Sequence, residues 1–256
     1  MPLWDRVVTL SNWVGDRILR VINRMIARQS VLPEQPFYDP ADFPWVGELE
    51  ANWKVIRREL DDVLAYHDAL PNFQDISTDQ AVLTTDDRWK TYFFYGYGFR
   101  SDANCRRCPE TTRLIERIPG METAMFSILA PGKHIPPHDG PYKGVLRYHL
   151  GLLVPEPEER VGISVGGQVA HWHEGASLVF DDTFVHAAWN DTDGTRVVLF
   201  LDVVRELREP MKTINRIVIK AIGYSPFIQD ARRRHEAWEQ RFDRIRGAGS
   251  AADEES

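Results

Sequence analysis

TRVVLFLDVV, residues 195–204, reads as a buried β-strand with charge inside it. β-Branched and aromatic residues dominate the stretch, as a pleated and packed surface requires. The two-residue period of a strand puts Arg196, Val198, Phe200 and Asp202 on one face. A guanidinium on such a face is costly unless an anion meets it. No acid precedes Arg196 on the strand. Two readings stand: a bound carboxylate, which a guanidinium matches in bidentate fashion, or a solvent-facing Arg at the strand start.

VLRYHLG, residues 145–151, repeats the pattern. Leu146, Tyr148 and Leu150 form one face, and Arg147 and His149 lie on the other. The polar face looks into a cavity inside a barrel or into water. The second stretch lies in the run Gly144–Val154, and five further short β-rich runs lie at Ala124–Ala130, Val161–Val165, Gln168–His173, Ala176–Phe180 and Val185–Trp189. Short strands at this spacing predict a sandwich or barrel, mainly β with flanking helices. The aromatic run Trp89–Phe99 adds strand character, interrupted by Gly96 and Gly98.

The flanks are helical in pattern. Leu3, Val7, Leu10, Val14, Ile18, Val21 and Met25 recur at helical spacing over 3–28, with Arg6, Arg17, Arg20, Arg24 and Arg28 between them. This suits a membrane-surface helix, or a terminal helix packed on the domain or on a second copy. Pro33, Pro36, Pro40 and Pro44 make the next segment an extended linker. A helix is expected from about Glu48 to His67, and another opens at Cys108-Pro109 and ends at Pro119-Gly120. Beyond Pro210 come a basic helix over 211–222, a charged helix to about Arg246 and a disordered tail, Gly247–Ser256. The domain plan is therefore 1–30, 31–210 and 211–256.

Composition sets the class. The chain has 256 residues, 43% hydrophobic and 27% charged, with formal net charge −7, enough for one large core. Residues 31–210 carry 17 basic and 29 acidic residues. An acidic body argues against nucleic-acid binding, while the basic ends suit anionic lipid head groups. The only cysteines, Cys105 and Cys108, exclude a disulfide framework. They are a redox pair or the incidental start of a helix. No apolar run of about 18 residues is present, so no transmembrane helix is expected. The expected location is cytoplasmic, or peripheral on the inner face of the membrane.

His138 lies in HIPPHDGP (134–141), and His186 ends FDDTFVH (180–186). Two His from separate strands are half of an iron site or two ordinary packed histidines. The residue sharing a face with His138 is Gly140, so no third ligand is evident from spacing.

The ordered set of His138-Asp-Gly-Pro, Leu146-Arg-Tyr-His-Leu-Gly-Leu152, Phe180-Asp-Asp-Thr-Phe-Val-His186 and Arg196 resembles the aspartyl/asparaginyl β-hydroxylase family, over about Phe43 to Val204. The resemblance implies a double-stranded β-helix, a cupin-like jelly roll. It implies iron(II) on His138 and His186, with 2-oxoglutarate and O2 as co-substrates. It gives Arg196 and Ser127 the distal carboxylate of 2-oxoglutarate, and Arg147 and His149 its oxalyl end or the substrate. Gly140 stands where many 2-oxoglutarate oxygenases have an acidic ligand, so water completes the metal shell and Asp182 orients that water. Many bacterial lipid A hydroxylases of the family carry His-x-Asp at the first motif, where this chain has His138-Asp-Gly.

The function this implies is hydroxylation of an unactivated C–H by a 2-oxoglutarate-dependent dioxygenase. The amphipathic ends make the acyl chain of a membrane lipid the leading substrate. Asp or Asn in a peptide is the second reading, with Arg100, Arg106 and Arg107 as extra cations for its carboxylate. A non-catalytic jelly-roll binding module is the third.

Overall fold

The structure, a computed structural model, describes residues 17–253. Its strands are β1 (Phe37–Tyr38), β2 (Trp89–Gly96), β3 (Phe99–Arg100), β4 (Met121–Leu129), β5 (His134–His138), β6 (Val145–Leu153), β7 (Val161–Val165), β8 (Gln168–His171), β9 (Ser177–Phe180), β10 (His186–Asn190) and β11 (Arg196–Val204). Its helices are α1 (residues 17–29), α2 (Val46–Ala51), α3 (Trp53–Leu64), α4 (Phe73–Ile76), α5 (Asp102–Arg107), α6 (Pro109–Ile115), α7 (Met211–Gly223) and α8 (Pro226–Asp253).

The strands pair antiparallel into a seven-stranded sheet, β1-β9-β6-β11-β4-β2-β3, and a four-stranded sheet, β5-β10-β7-β8. Met125, Leu129, Val198 and Phe200 of the large sheet pack against Ile135, Ile163, Val165 and Ala188 of the small one. This is the jelly-roll core. The alternate residues of the large sheet, among them Leu146, Leu150, Leu199 and Leu201, face outward. Leu49, Ile56, Leu60, Leu114 and Trp238 of the helices cover them. The large sheet is thus buried on both faces, which is why β11 reads as a nearly unbroken apolar run. Truncating Leu199, which has no exposed surface, to Ala would cost about 2–5 kcal/mol.

Several elements differ from the sequence reading. HIPPH over 134–138 is absent from the β-rich runs picked out in the sequence, and Pro136 and Pro137 in it supply no backbone N–H. It is a strand all the same, since β5 lies at a sheet edge and pairs only with β10, where missing N–H groups are tolerated. The helix expected over 48–67 divides at Asn52, whose backbone leaves the helical region (φ −108°, ψ 9°). Its side-chain amide donates to Glu48 O, capping the end of α2. The aromatic run Trp89–Phe99 folds back at Tyr97-Gly98, both with positive φ (41° and 87°), a two-residue hairpin turn.

Residues 3–16 of the expected N-terminal helix lie outside the described residues, but 17–29 are helical. One face of α1 packs on the domain: Ile26, with Leu19 and Ile22, joins Leu207, Met211 and Ile219. The other face leaves Ile18, Val21 and Met25 exposed. At the C-terminus α8 runs to Asp253, past the expected end near Arg246, so 247–253 are helical rather than disordered. Ala248, Ala251 and Ala252 favour that continuation. Among the described residues, no helix is long and apolar enough to cross a membrane.

Candidate functional site

Pairing of β5 with β10 sets His138 directly opposite His186. The ring centroids are 4.1 Å apart with planes inclined by 50°. Each imidazole donates from Nδ1 to a carbonyl two residues back: His138 to Pro136 O (2.8 Å) and His186 to Phe184 O (3.0 Å). A carbonyl only accepts, so the proton sits on Nδ1 and the Nε2 lone pair is left for a ligand. Burial keeps both rings neutral. It lowers His138 and pushes His186 down to about 3, with the nearby Arg147 charge adding to the shift. Neutral imidazole is the ligating form. Among the described residues, no group of three or more His, Cys, Asp and Glu gathers to hold a metal. The two histidines would be the protein's whole contribution.

The reason for Gly140 is spatial. A Cβ there would lie 2.4 Å from Asp182 Oδ2, so no acid fits, and the Asp182 carboxylate fills that place itself. Asp182 is buried, and burial pushes its carboxyl up to about 6. Arg147 forms an ion pair with Asp182 Oδ2 (2.9 Å) and donates through Nε to Asp202 Oδ1 (3.0 Å). The β6–β11 register places Arg147 opposite Asp202, which makes this clamp. Burial opposes the Arg147 charge, but the two carboxylates more than offset it and hold the guanidinium above its ordinary value. One guanidinium between two carboxylates leaves one negative charge uncompensated, and Asp182 Oδ1 has no hydrogen-bond partner.

Arg196 is 2% exposed. It has no ion-pair partner among the described residues. NH1 donates to Ser127 O (3.2 Å), Nε is unsatisfied, and the guanidinium lies over the Trp172 ring, 4.6 Å from its centroid. Burial pulls it down to about 9. The Ser127 hydroxyl accepts from Trp89 Nε1 (3.1 Å), leaving its own O–H to donate. His149 lies among Trp172, Phe180 and Phe200 with both ring nitrogens unsatisfied. Burial holds it far below its ordinary value, and the charges of Arg196 and Arg147 add to that. Unmatched buried donors are expensive, so a cation, a hydroxyl and an imidazole left open together describe a site for a polar ligand. The guanidinium is the group in this set that matches a carboxylate.

A cavity of about 580 Å³ adjoins this centre. His138, Arg147, Asp182 and Asp202 line it together with a mostly apolar set that includes Phe73, Ile76, Phe93, Met125 and Phe227.

The seven residues singled out from sequence, Ser127, His138, Arg147, His149, Asp182, His186 and Arg196, all belong to this one neighbourhood. Asp202 and Trp172 belong to it too and were not chosen. Asp202 stood out only as a charge on the inward face of β11, and Trp172 gave no signal at all. Asp181 was also missed. It is fully buried and accepts from Arg205 (2.6 Å) and Lys143 (2.9 Å), anchoring the turn between Asp182 and His186. Arg100, Arg106 and Arg107 do not line the cavity. Arg100 is bound to Tyr95, Asp102 and Glu116, and Arg107 to Asn104 and Asp243. Cys105 and Cys108 are buried free thiols, both pushed up by burial, so the redox reading fails.

A family model described as aspartyl/asparaginyl beta-hydroxylase matches residues 50–206. An ornithine lipid ester-linked acyl 2-hydroxylase from Rhizobium tropici is 50% identical over 211 residues, 82% of this chain and 75% of that protein. Human aspartyl/asparaginyl beta-hydroxylase is 33% identical over 193 residues, 72% of this chain but 24% of its own length, so the chain spans about a quarter of that relative. Among solved structures, a Cupin_2 domain of an XRE family transcriptional regulator from Enterobacter cloacae aligns with TM-score 0.33 and 13% identity, covering 47% of this chain and 100% of that one. Since the family model spans more than half of the sequence, the chain belongs to the aspartyl/asparaginyl β-hydroxylase family.

Proposed function

We propose that the protein is an iron(II)- and 2-oxoglutarate-dependent dioxygenase that hydroxylates an acyl chain of a membrane lipid. The observation that carries this reading is the cavity of about 580 Å³, which joins His138, Arg147, Asp182 and Asp202 to a lining that is mostly apolar. A peptide Asp or Asn would need a surplus cation facing the cavity near the histidines. Arg147 there is already shared by two carboxylates. The Rhizobium tropici relative, named for an acyl 2-hydroxylase activity, supports the lipid reading.

Iron(II), held by Nε2 of His138 and His186, would supply oxidative decarboxylation of 2-oxoglutarate coupled to hydroxylation of the substrate C–H. The protein's part is positioning. Arg196 and Ser127 would grip the distal carboxylate, and Trp172 beneath the guanidinium shields that pair from water. His149, neutral, would donate or accept at the middle of the co-substrate without adding charge. Asp182 Oδ1, unsatisfied in the protein, is left to orient a water beside the imidazoles. The apolar wall seats the acyl chain and keeps the reacting end dry.

The protein would work at an anionic membrane surface. Ile18 (55% exposed), Val21 (44%) and Met25 (43%) on α1, with Ile217 (63%) on α7, are exposed apolar residues. Arg20, Arg24, Arg28, Lys212 and Arg216 lie among them. Leu19 of α1 and Val218 and Ile222 of α7 line the cavity, so the same two helices flank its mouth.

The test is mass spectrometry of a lipid extract incubated in air with the protein, iron(II) and 2-oxoglutarate, beside a His186→Ala control. The expected result is a lipid that gains one oxygen atom only with the intact protein. Succinate without a modified lipid would keep the oxygenase and move the substrate to peptides. Neither product, with every co-substrate present, would overturn the proposal.

A further inference from the structure

Residues 139–144 carry the chain from His138, the last residue of β5, to β6, which holds Arg147. The backbone of this loop bonds to segments remote in sequence. Gly140 N donates to Asp182 O (2.7 Å), Lys143 O accepts from Arg205 Nε (2.8 Å), and Gly144 O accepts from Arg205 N (3.0 Å). Two asparagines, one from each flanking helix, hold it as well. Asn23 of α1 binds it twice: Nδ2 donates to Pro141 O (2.9 Å), and Oδ1 accepts from Lys143 N (3.0 Å). Asn215 of α7 also binds it twice: Nδ2 donates to Gly144 O (2.9 Å), and Oδ1 accepts from the Tyr142 hydroxyl. Each amide must present its oxygen to an N–H or O–H and its nitrogen to a carbonyl, so neither can turn over without losing both bonds. A Cβ on Gly144 would lie 2.1 Å from Asn215 Oδ1, so the asparagine is what keeps residue 144 without a side chain.

The two candidate metal ligands are supported unequally. β10, which carries His186, is paired on both sides, with β5 and with β7. His138 closes an edge strand paired on one side, in which Pro136 and Pro137 supply no N–H. The strand therefore fixes His186 more firmly than His138, whose place depends also on the loop that follows it. The same loop carries Gly140, against which the Asp182 carboxylate packs. A displacement of residues 139–144 would disturb the imidazole and the neighbouring carboxylate together.

We infer that Asn23 and Asn215 are positioning residues of the candidate metal site: they hold the 139–144 loop, and through it keep the His138 imidazole facing that of His186. The inference rests on the histidine-pair reading above. It adds that α1 and α7 are working parts of the site as well as its flanks.

The test is titration of the full chain with Co(II), which takes the same imidazole ligands as iron(II). Calorimetry gives the affinity, the visible absorption bands report the coordination, and urea denaturation of each protein runs beside them. Asn23 is the position to change, because it is half-buried on a helix, whereas Asn215 is 1% exposed and its loss would unsettle the fold. Asn23→Ala should weaken Co(II) binding about tenfold and alter the bands, as loss of a group that orients a ligand does. Ile26→Val thins the packing of the same helix and leaves both asparagines in place. It should lower the urea midpoint while Co(II) affinity and bands stay as they were. Asn23→Ala that binds Co(II) as tightly as the unaltered protein, or Ile26→Val that weakens it as much, overturns the positioning role alone. An unaltered protein that binds no Co(II) would overturn the histidine-pair reading as well.

Discussion

Replacing Arg196 with Met separates stability from ligand recognition. The guanidinium is 2% exposed and lacks a carboxylate among the described residues. Burial pulls it from its ordinary value down to about 9, a difference above three pH units. At about 1.36 kcal/mol per unit that is on the order of 5 kcal/mol of desolvation. Methionine would remove this cost while nearly conserving volume. It would also lose the bond to Ser127 O, about 2 kcal/mol, and the contact over Trp172, about 2 kcal/mol. The balance favours Met by about 1 kcal/mol, roughly 2–3 °C in melting temperature for a chain of this size. Urea denaturation of the ligand-free protein measures it. Binding should move the other way. The unaltered protein should prefer 2-oxoglutarate over pyruvate, which has the 2-oxo acid but no second carboxylate. Losing a charge-assisted pair of about 3 kcal/mol should remove a preference of roughly a hundredfold. Quenching of Trp172 fluorescence reports it. A variant that is less stable by 2 kcal/mol and still discriminates between the two acids would refute the reasoning.

Gly140→Asp should not create a third metal ligand, because its Cβ would collide with the Asp182 carboxylate. It should destabilise the fold by more than about 2 kcal/mol in thermal unfolding, and Asp182→Gly in the same chain should recover most of that. The metal-free protein should be acid-labile. His138, His149 and His186 all sit below their unfolded value near ~6.5, so the unfolded chain takes protons first as pH falls. Their contribution is present above that pH and is lost toward about 3 for His186, which alone removes about 2 kcal/mol by roughly pH 5. Urea titrations at two pH values check this, and His186→Asn should flatten the dependence. Arg205→Ala should cost about 3–5 kcal/mol, because Asp181, fully buried, would lose its 2.6 Å partner. An unchanged denaturation midpoint would remove Asp181 and Arg205 as the anchor of the His186 turn.

Much of the site was legible because the signals are local. Arg196 in an apolar strand, and Arg147 with His149 opposite Leu146 and Tyr148, announce polar groups facing inward. A strand's period of two needs no tertiary information. The motif strings around His138 and His186 then tied these residues to one family. Asp202 and Trp172 escaped because their roles depend on partners far along the chain. Asp202 matters through its register with Arg147, and Trp172 through the guanidinium above it. β5 escaped because Pro136 and Pro137 argue against a strand everywhere except at a sheet edge, and edge position is not written in five residues.

The sequence, read alone, fixes what each stretch must bury and which faces carry charge, since side-chain chemistry and backbone period are properties of neighbouring residues. It therefore specified a mainly β domain with helices at both ends and a polar interior. Tertiary structure decided the rest. It set His138 across from His186, filled the space at Gly140 with the Asp182 carboxylate, buried Arg196 with no carboxylate beside it among the described residues, and packed one face of α1 on the domain while exposing the other. Each of these is a distance between residues remote in the chain, set by strand register and layer packing, and no local pattern encodes it.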